Sequence, residues 1–97
     1  MSYDVTVGGE WFNYTSNMSK FFRDFDVYPP DWDGIRRYAL SHTLKHGLAN
    51  INSFDRAALA KKYDAENGWG SVDSAIDWLE RIYEASVKEL DIVEVSW

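Results

Sequence analysis

Both ends of this chain alternate apolar and polar residues with period two, while the segments between them repeat with the spacing of a helix. Tyr3-Asp4-Val5-Thr6-Val7 is a strand pattern with β-branched residues, Gly8-Gly9 is a two-residue hairpin signal, and Glu10 to Tyr14 supplies an aromatic second arm. Asp91 to Trp97 (DIVEVSW) returns to the same period. A lone hairpin is marginal in water, so the economical closure is a three-stranded antiparallel sheet in which the last strand pairs with the first or second. With helices covering one face, residues 1–97 form a single α+β domain whose strand order stays open.

Three to four helices fit between the strands. Thr15, Ser16 and Asn17 are good N-caps, and Met18, Phe21, Phe22 and Phe25 then mark one face of a short helix. Asp26 to Asp33 reads as a loop, because Pro29-Pro30 breaks the helix. The next helix is predicted from about Trp32 to Gly47, with Leu40, Leu44 and Leu48, continued by Ile51, toward the core. Ser53 is expected to cap a helix from Phe54 to about Lys62, and Tyr63 to Gly70 is a turn-rich connection. Ser71 starts the last helix. Its apolar stripe is Val72, Ala75, Ile76, Leu79, Ile82, Tyr83, Ser86 and Leu90, and its polar back is Asp73, Asp77, Glu80 and Glu84. Asp77 to Arg81 and Glu84 to Lys88 are spaced as i,i+4 ion pairs.

A domain of 97 residues buries only about 60 to 65% of its unfolded surface, so five Trp, six Tyr and five Phe must supply much of the burial. Trp69, between two glycines in Glu66-Asn67-Gly68-Trp69-Gly70, is expected to pin that turn to the core. Trp11, Phe12 and Trp97 sit on strands whose other face has no helix to cover it, which leads to the expectation of a homodimer through that face. With no Cys there is neither a disulfide nor a thiolate site. The apolar runs are short and the start lacks the pattern of a signal peptide, so no membrane association is expected and the cytoplasm is the default location.

Charge is uneven. The net is -6, yet residues 1–62 carry eight Lys/Arg against seven Asp/Glu, and residues 63–97 carry two against nine. An acidic chain with a basic middle does not suit nonspecific binding to duplex nucleic acid, which rewards a broad positive face. A small anion suits it better. Arg36, Arg37, His42, Lys45 and His46 lie away from the leucine stripe beside Tyr38; guanidinium groups bind phosphate with paired hydrogen bonds, and a ring can stack on a base. The same residues also fit a solvated basic face that complements the acidic last helix. Asn13, Thr15, Ser16 and Asn17 gather where a strand meets a helix start, where they can cap the helix, meet an anion or read a base edge. His42 and His46 are one turn apart, but the segment lacks the Glu of HExxH and puts Lys45 beside the ring pair, so no metal and no cofactor are expected.

The segments Asn13-Tyr14-Thr15-Ser16-Asn17-Met18-Ser19 and Glu66-Asn67-Gly68-Trp69-Gly70-Ser71, followed by Ala75 to Ala85, resemble a group of small uncharacterised bacteriophage and prophage accessory proteins. The likeness spans nearly the whole chain, with the middle from Val27 to Ser53 departing most. It implies an N-terminal hairpin, a T-S-N segment opening a short helix and an N-G-W-G turn before the last helix. It also implies an accessory role, in host takeover or counter-defence in the host cytoplasm, and transfers no catalytic residue.

With no Cys, both His on one helix and no Gly-rich nucleophile turn, the expected activity is stoichiometric binding rather than catalysis. The expected ligand is a small phosphorylated molecule, such as a nucleotide immune signal, which the protein sequesters. The alternative is a protein inhibitor that meets a host or defence protein through its acidic last helix.

Overall fold

The computed structural model describes residues 2–87 and 92–97. Strand β1, Ser2–Val7, buries Tyr3, Val5 and Val7 and leaves the alternate positions partly open, as period two requires. Val7 pairs with Glu10, and the two residues between them, Gly8 and Gly9, have φ of 56° and 82°. Two consecutive positive φ values define the hairpin turn whose twist matches that of the strands, and only glycine adopts them without strain. Strand β2, Glu10–Thr15, returns along β1, and β3, Glu94–Ser96, pairs antiparallel with its other edge, so the order is β2-β1-β3. The fold is α+β with the first strand central.

A 3-10 turn at Ser16–Met18 leads into α1, Ser19–Asp24, and a second such turn spans Pro29–Trp32. Helices α2, Arg37–Asn52, α3, Arg56–Tyr63, and α4, Val72–Ser86, follow. Helix α4 packs against β1, β2, α2 and α3. Rings fill the layer beneath the sheet: Tyr14 stacks on Trp78 at 5.3 Å between centroids, Trp78 on Trp32 at 6.1 Å, and Phe22 meets both Tyr3 and Tyr14 edge-on. Trp32, Trp78, Phe21 and Phe22 are fully buried. Burying one such side chain contributes roughly 1.5 to 3 kcal/mol, so these rings dominate a small core.

Several boundaries differ from those expected. Helix α2 starts at Arg37, not Trp32, because the intervening backbone is committed elsewhere: Gly34 N–H donates to Val93 O at 2.8 Å, Val93 N–H to Ile35 O at 2.7 Å, and Arg36 bridges Ile92. The helix also continues past Gly47 to Asn52. Gly47 lies against Val27, where a Cβ would collide with Val27 Cγ1, so this glycine serves close packing rather than termination. Asp55, not Ser53, caps α3, its Oδ2 accepting Ala58 N–H at 2.9 Å, while Ser53 closes α2 by donating to Asn50 O at 2.6 Å. Ser71 does start α4, in a reciprocal cap with Ser74. The last strand, expected from Asp91 to Trp97, is the shorter Glu94–Ser96, preceded by the Ile92 bridge to Arg36, while Lys88 of the Glu84 to Lys88 pair, Leu90 and Asp91 lie outside the described residues.

The described part of the stripe expected on α4, Val72 to Ser86, is buried except for half-buried Tyr83, and Trp78 and Ala85 join it. Packing on both the sheet and α2 widens the buried arc beyond a single stripe. On β2, Trp11 is opposite Thr6 and is 66% exposed, whereas Phe12 is opposite Val5 and rests on the core. Phe12 therefore does not belong to the uncovered face. Among the described residues, no helix is long and apolar enough to cross a membrane.

Candidate functional site

Cross-strand register places Ser2 opposite Thr15, and Asp4 opposite both Asn13 and Ser96, so these residues share the outer face of the sheet. Asn13 turns its amide nitrogen inward along that face: Nδ2 donates to Asp4 Oδ1 at 2.8 Å and to Tyr3 O at 3.3 Å. Thr15 ends the strand and accepts Asn17 N–H on Oγ1 at 3.2 Å, which fixes the 3-10 turn behind it. Asn17 Nδ2 then crosses to the distant Trp69 carbonyl at 3.2 Å.

The turn that carries Trp69 is held by its own backbone. Ala65 N–H donates to Gly70 O at 3.1 Å, Gly68 N–H to Ala65 O at 3.1 Å, and Asn67 Oδ1 accepts Trp69 N–H at 2.9 Å. Trp69 itself is 71% exposed, contrary to its expected role as a buried anchor. Since the hydrogen bonds already close the turn, the ring is not needed to hold it. Together Ser2, Asn13, Tyr14, Thr15, Asn17 and Trp69 line a cleft of about 520 Å³. The structure thus joins the T-S-N and N-G-W-G segments, 52 residues apart at the Asn17–Trp69 bond.

Tyr14 borders the cleft, and its side chain reaches the start of α4. Its hydroxyl donates to Ser71 O at 3.1 Å, lies 2.7 Å from Ser74 Oγ, and accepts Ser71 N–H at 3.3 Å. Burial raises its pKa above the usual phenol value, and the bonds from Ser74 and Ser71 oppose that shift only partly. Among the described residues, the cleft lining offers amides, hydroxyls and rings, groups that hydrogen-bond and stack. Ser16 stands behind the cleft, its carbonyl accepting Ser19 Oγ at 2.6 Å.

The basic middle is placed elsewhere. Arg37 is only 6% exposed: its Nη2 donates to Ala85 O, and its guanidinium lies under the Gly8 turn. It is a packing and capping residue of the core, not the exposed phosphate ligand expected from the sequence. Arg36, Tyr38, His42, Lys45 and His46 are exposed, with the Tyr38 and His42 rings edge to face at 4.6 Å. His46 borders a separate depression with Phe25, Asp26, Thr43, Gly47 and Asn50, which shares no residue with the Trp69 cleft. Arg36 bridges Ile92, two residues before β3, and Asn13 lies on β2, so the sheet separates the two halves of the expected site. Among the described residues, no group of three or more His, Cys, Asp or Glu is placed to hold a metal ion.

Part of the acidic back of α4 is neutralised locally, by Arg56 on Asp73 at 2.8 Å and Arg81 on Asp77 at 3.1 Å. A further charged cluster was not expected. Tyr63 donates to Asp24 Oδ2 at 2.6 Å, and Lys20 meets the same oxygen at 3.0 Å, clipping α1 to α3. The Tyr63 hydrogen bond, then that of Lys20, holds the Asp24 carboxyl below its ordinary pKa, and the same bond raises that of Tyr63. No protein-family model, curated protein or solved structure matches this chain.

Proposed function

We propose that this protein is a phage accessory binder that sequesters a small phosphorylated, ring-bearing molecule, such as a nucleotide immune signal, in the Trp69 cleft. One observation carries the reading: the two segments on which the phage resemblance rests line a single cleft together with an exposed tryptophan. A stacked base on an aromatic ring is worth about 1 to 3 kcal/mol, and exposure of Trp69 costs the free protein that burial unless a ligand recovers it. The hydroxyls of Ser2 and Thr15 offer O–H donors to phosphate oxygens, and the asparagines offer polar contacts to a base. None of these groups is a poised nucleophile, in keeping with capture rather than turnover.

Inhibition of a host or defence protein through the acidic last helix has weaker support, because Asp73 and Asp77 are already engaged by arginines of the same chain. A thermal-shift screen against nucleotides and cyclic nucleotides tests the proposal. A ligand at a hundred times its dissociation constant adds about 2.7 kcal/mol, a shift of several degrees for a domain of this size. Absence of any shift across the panel at millimolar ligand would overturn it.

A further inference from the structure

The chemistry of the cleft narrows the ligand further, on the assumption that the cleft is the capture site. Asn13 and Asn17 both line it, and in each the orientation of the amide is set by partners that can only accept. Asn13 Nδ2 donates to the Asp4 carboxylate and the Tyr3 carbonyl, and Asn17 Nδ2 donates to the Trp69 carbonyl. A flipped amide would set oxygen against oxygen at each site, so the flip is fixed by the network. Among the described residues, neither Oδ1 accepts a hydrogen bond from the protein. Both side chains are exposed, and among the described residues no Lys or Arg lines the cleft. Both N–H groups of Asn13 are thus committed, to Asp4 and Tyr3, which leaves Asn13 Oδ1 as an acceptor beside the cleft, whereas Asn17 keeps one N–H and can act as donor or acceptor.

We infer that the cleft selects rings carrying an amino group, the adenine and cytosine type, over their carbonyl counterparts. An exocyclic amine donates to Asn13 Oδ1 while the ring stacks on Trp69. A ring carbonyl at the same place would set its lone pairs against those of the amide oxygen. Discrimination follows because a polar site rejects an analogue that leaves its groups unpaired.

Paired nucleotides test this with no change in ring size or phosphate: AMP against IMP, and CMP against UMP, each titrated into the full chain and read by tryptophan fluorescence and calorimetry. The expected result is AMP over IMP and CMP over UMP by roughly tenfold in Kd, with the preference collapsing toward unity in Asn13→Ala. That variant must melt close to the parent, since Asn13 is exposed; if it does not, Asn13→Ser, which keeps a short polar side chain at that strand position, provides the same readout. Equal affinity within each pair overturns the selection for amines while leaving nucleotide capture standing. No binding by any of the four overturns both.

Discussion

The guanidinium of Arg37 donates to the main-chain carbonyl of Ala85 from beneath Gly8, where a Cβ would stand 2.6 Å from its Nη1. One side chain thereby ties the start of α2 to the last turn of α4 and to the hairpin turn between β1 and β2. A cation against the C-terminal carbonyls of a helix also meets the negative end of its dipole. Arg37→Ala should lower unfolding stability by about 1.5 to 3 kcal/mol, the range for a hydrogen bond to a charged group. Lys45→Glu, on the exposed face of the same helix, should change it by less than about 0.5 kcal/mol. Urea denaturation of both variants checks this; equal midpoints would contradict the central place of Arg37.

Leu79 is completely buried where α4 enters the core. Leu79→Ala should cost about 2 to 5 kcal/mol through lost transfer energy and the cavity left behind, enough to approach global unfolding in so small a domain. Melting within a degree or two of the parent would contradict the packing of this face.

Stability should fall at both extremes of pH, for different reasons. Burial raises the pKa of Tyr14, and of Tyr3, above the ordinary 10.0, so the fold favours the neutral phenol. That contribution is complete below pH about 10 and is lost as pH rises through the higher folded values. Tyr14→Phe should flatten the alkaline loss. Asp24 is depressed by Tyr63 and Lys20, so its contribution is present above the ordinary carboxylate pKa and disappears as pH falls through the folded value. Asp24→Asn should flatten the acid limb alone. Melting temperatures of the two variants from pH 2 to 11 check the assignment.

Self-association through the outer face of the sheet remains the expectation for Trp11, which is exposed beside Asp4 and Glu94. Like charges from two copies would oppose each other there, so a dimer should strengthen with salt. Light scattering at micromolar concentration should report twice the chain mass of 11.2 kDa, and Trp11→Ser should return the monomer. A monomer at all salt concentrations would remove the dimer.

Alternation and caps made the hairpin, the last strand and the start of α4 legible in the sequence, since each is a local pattern with a local cause. Tertiary pairing was not legible. Nothing local in Gly34-Ile35-Arg36 shows that its backbone bonds to the segment around Val93, which is what delays α2. Trp78 lies just off the apolar stripe and is buried only because α4 faces two layers. Arg37 and Trp69 invert the usual rule, with the charge inside and the ring outside. The spacing from Asn17 to Trp69 carried no signal either, yet their hydrogen bond brings the two sides of the cleft together.

Calorimetric titration of AMP into the parent, Trp69→Ala and Lys45→Glu tests the capture site most directly. Binding should be present in the parent, unchanged in Lys45→Glu, and weakened at least tenfold in Trp69→Ala, in line with the loss of one stacked base. Binding that survives in Trp69→Ala but is lost in Lys45→Glu would move the site to the basic face of α2 and contradict the cleft as the place of capture.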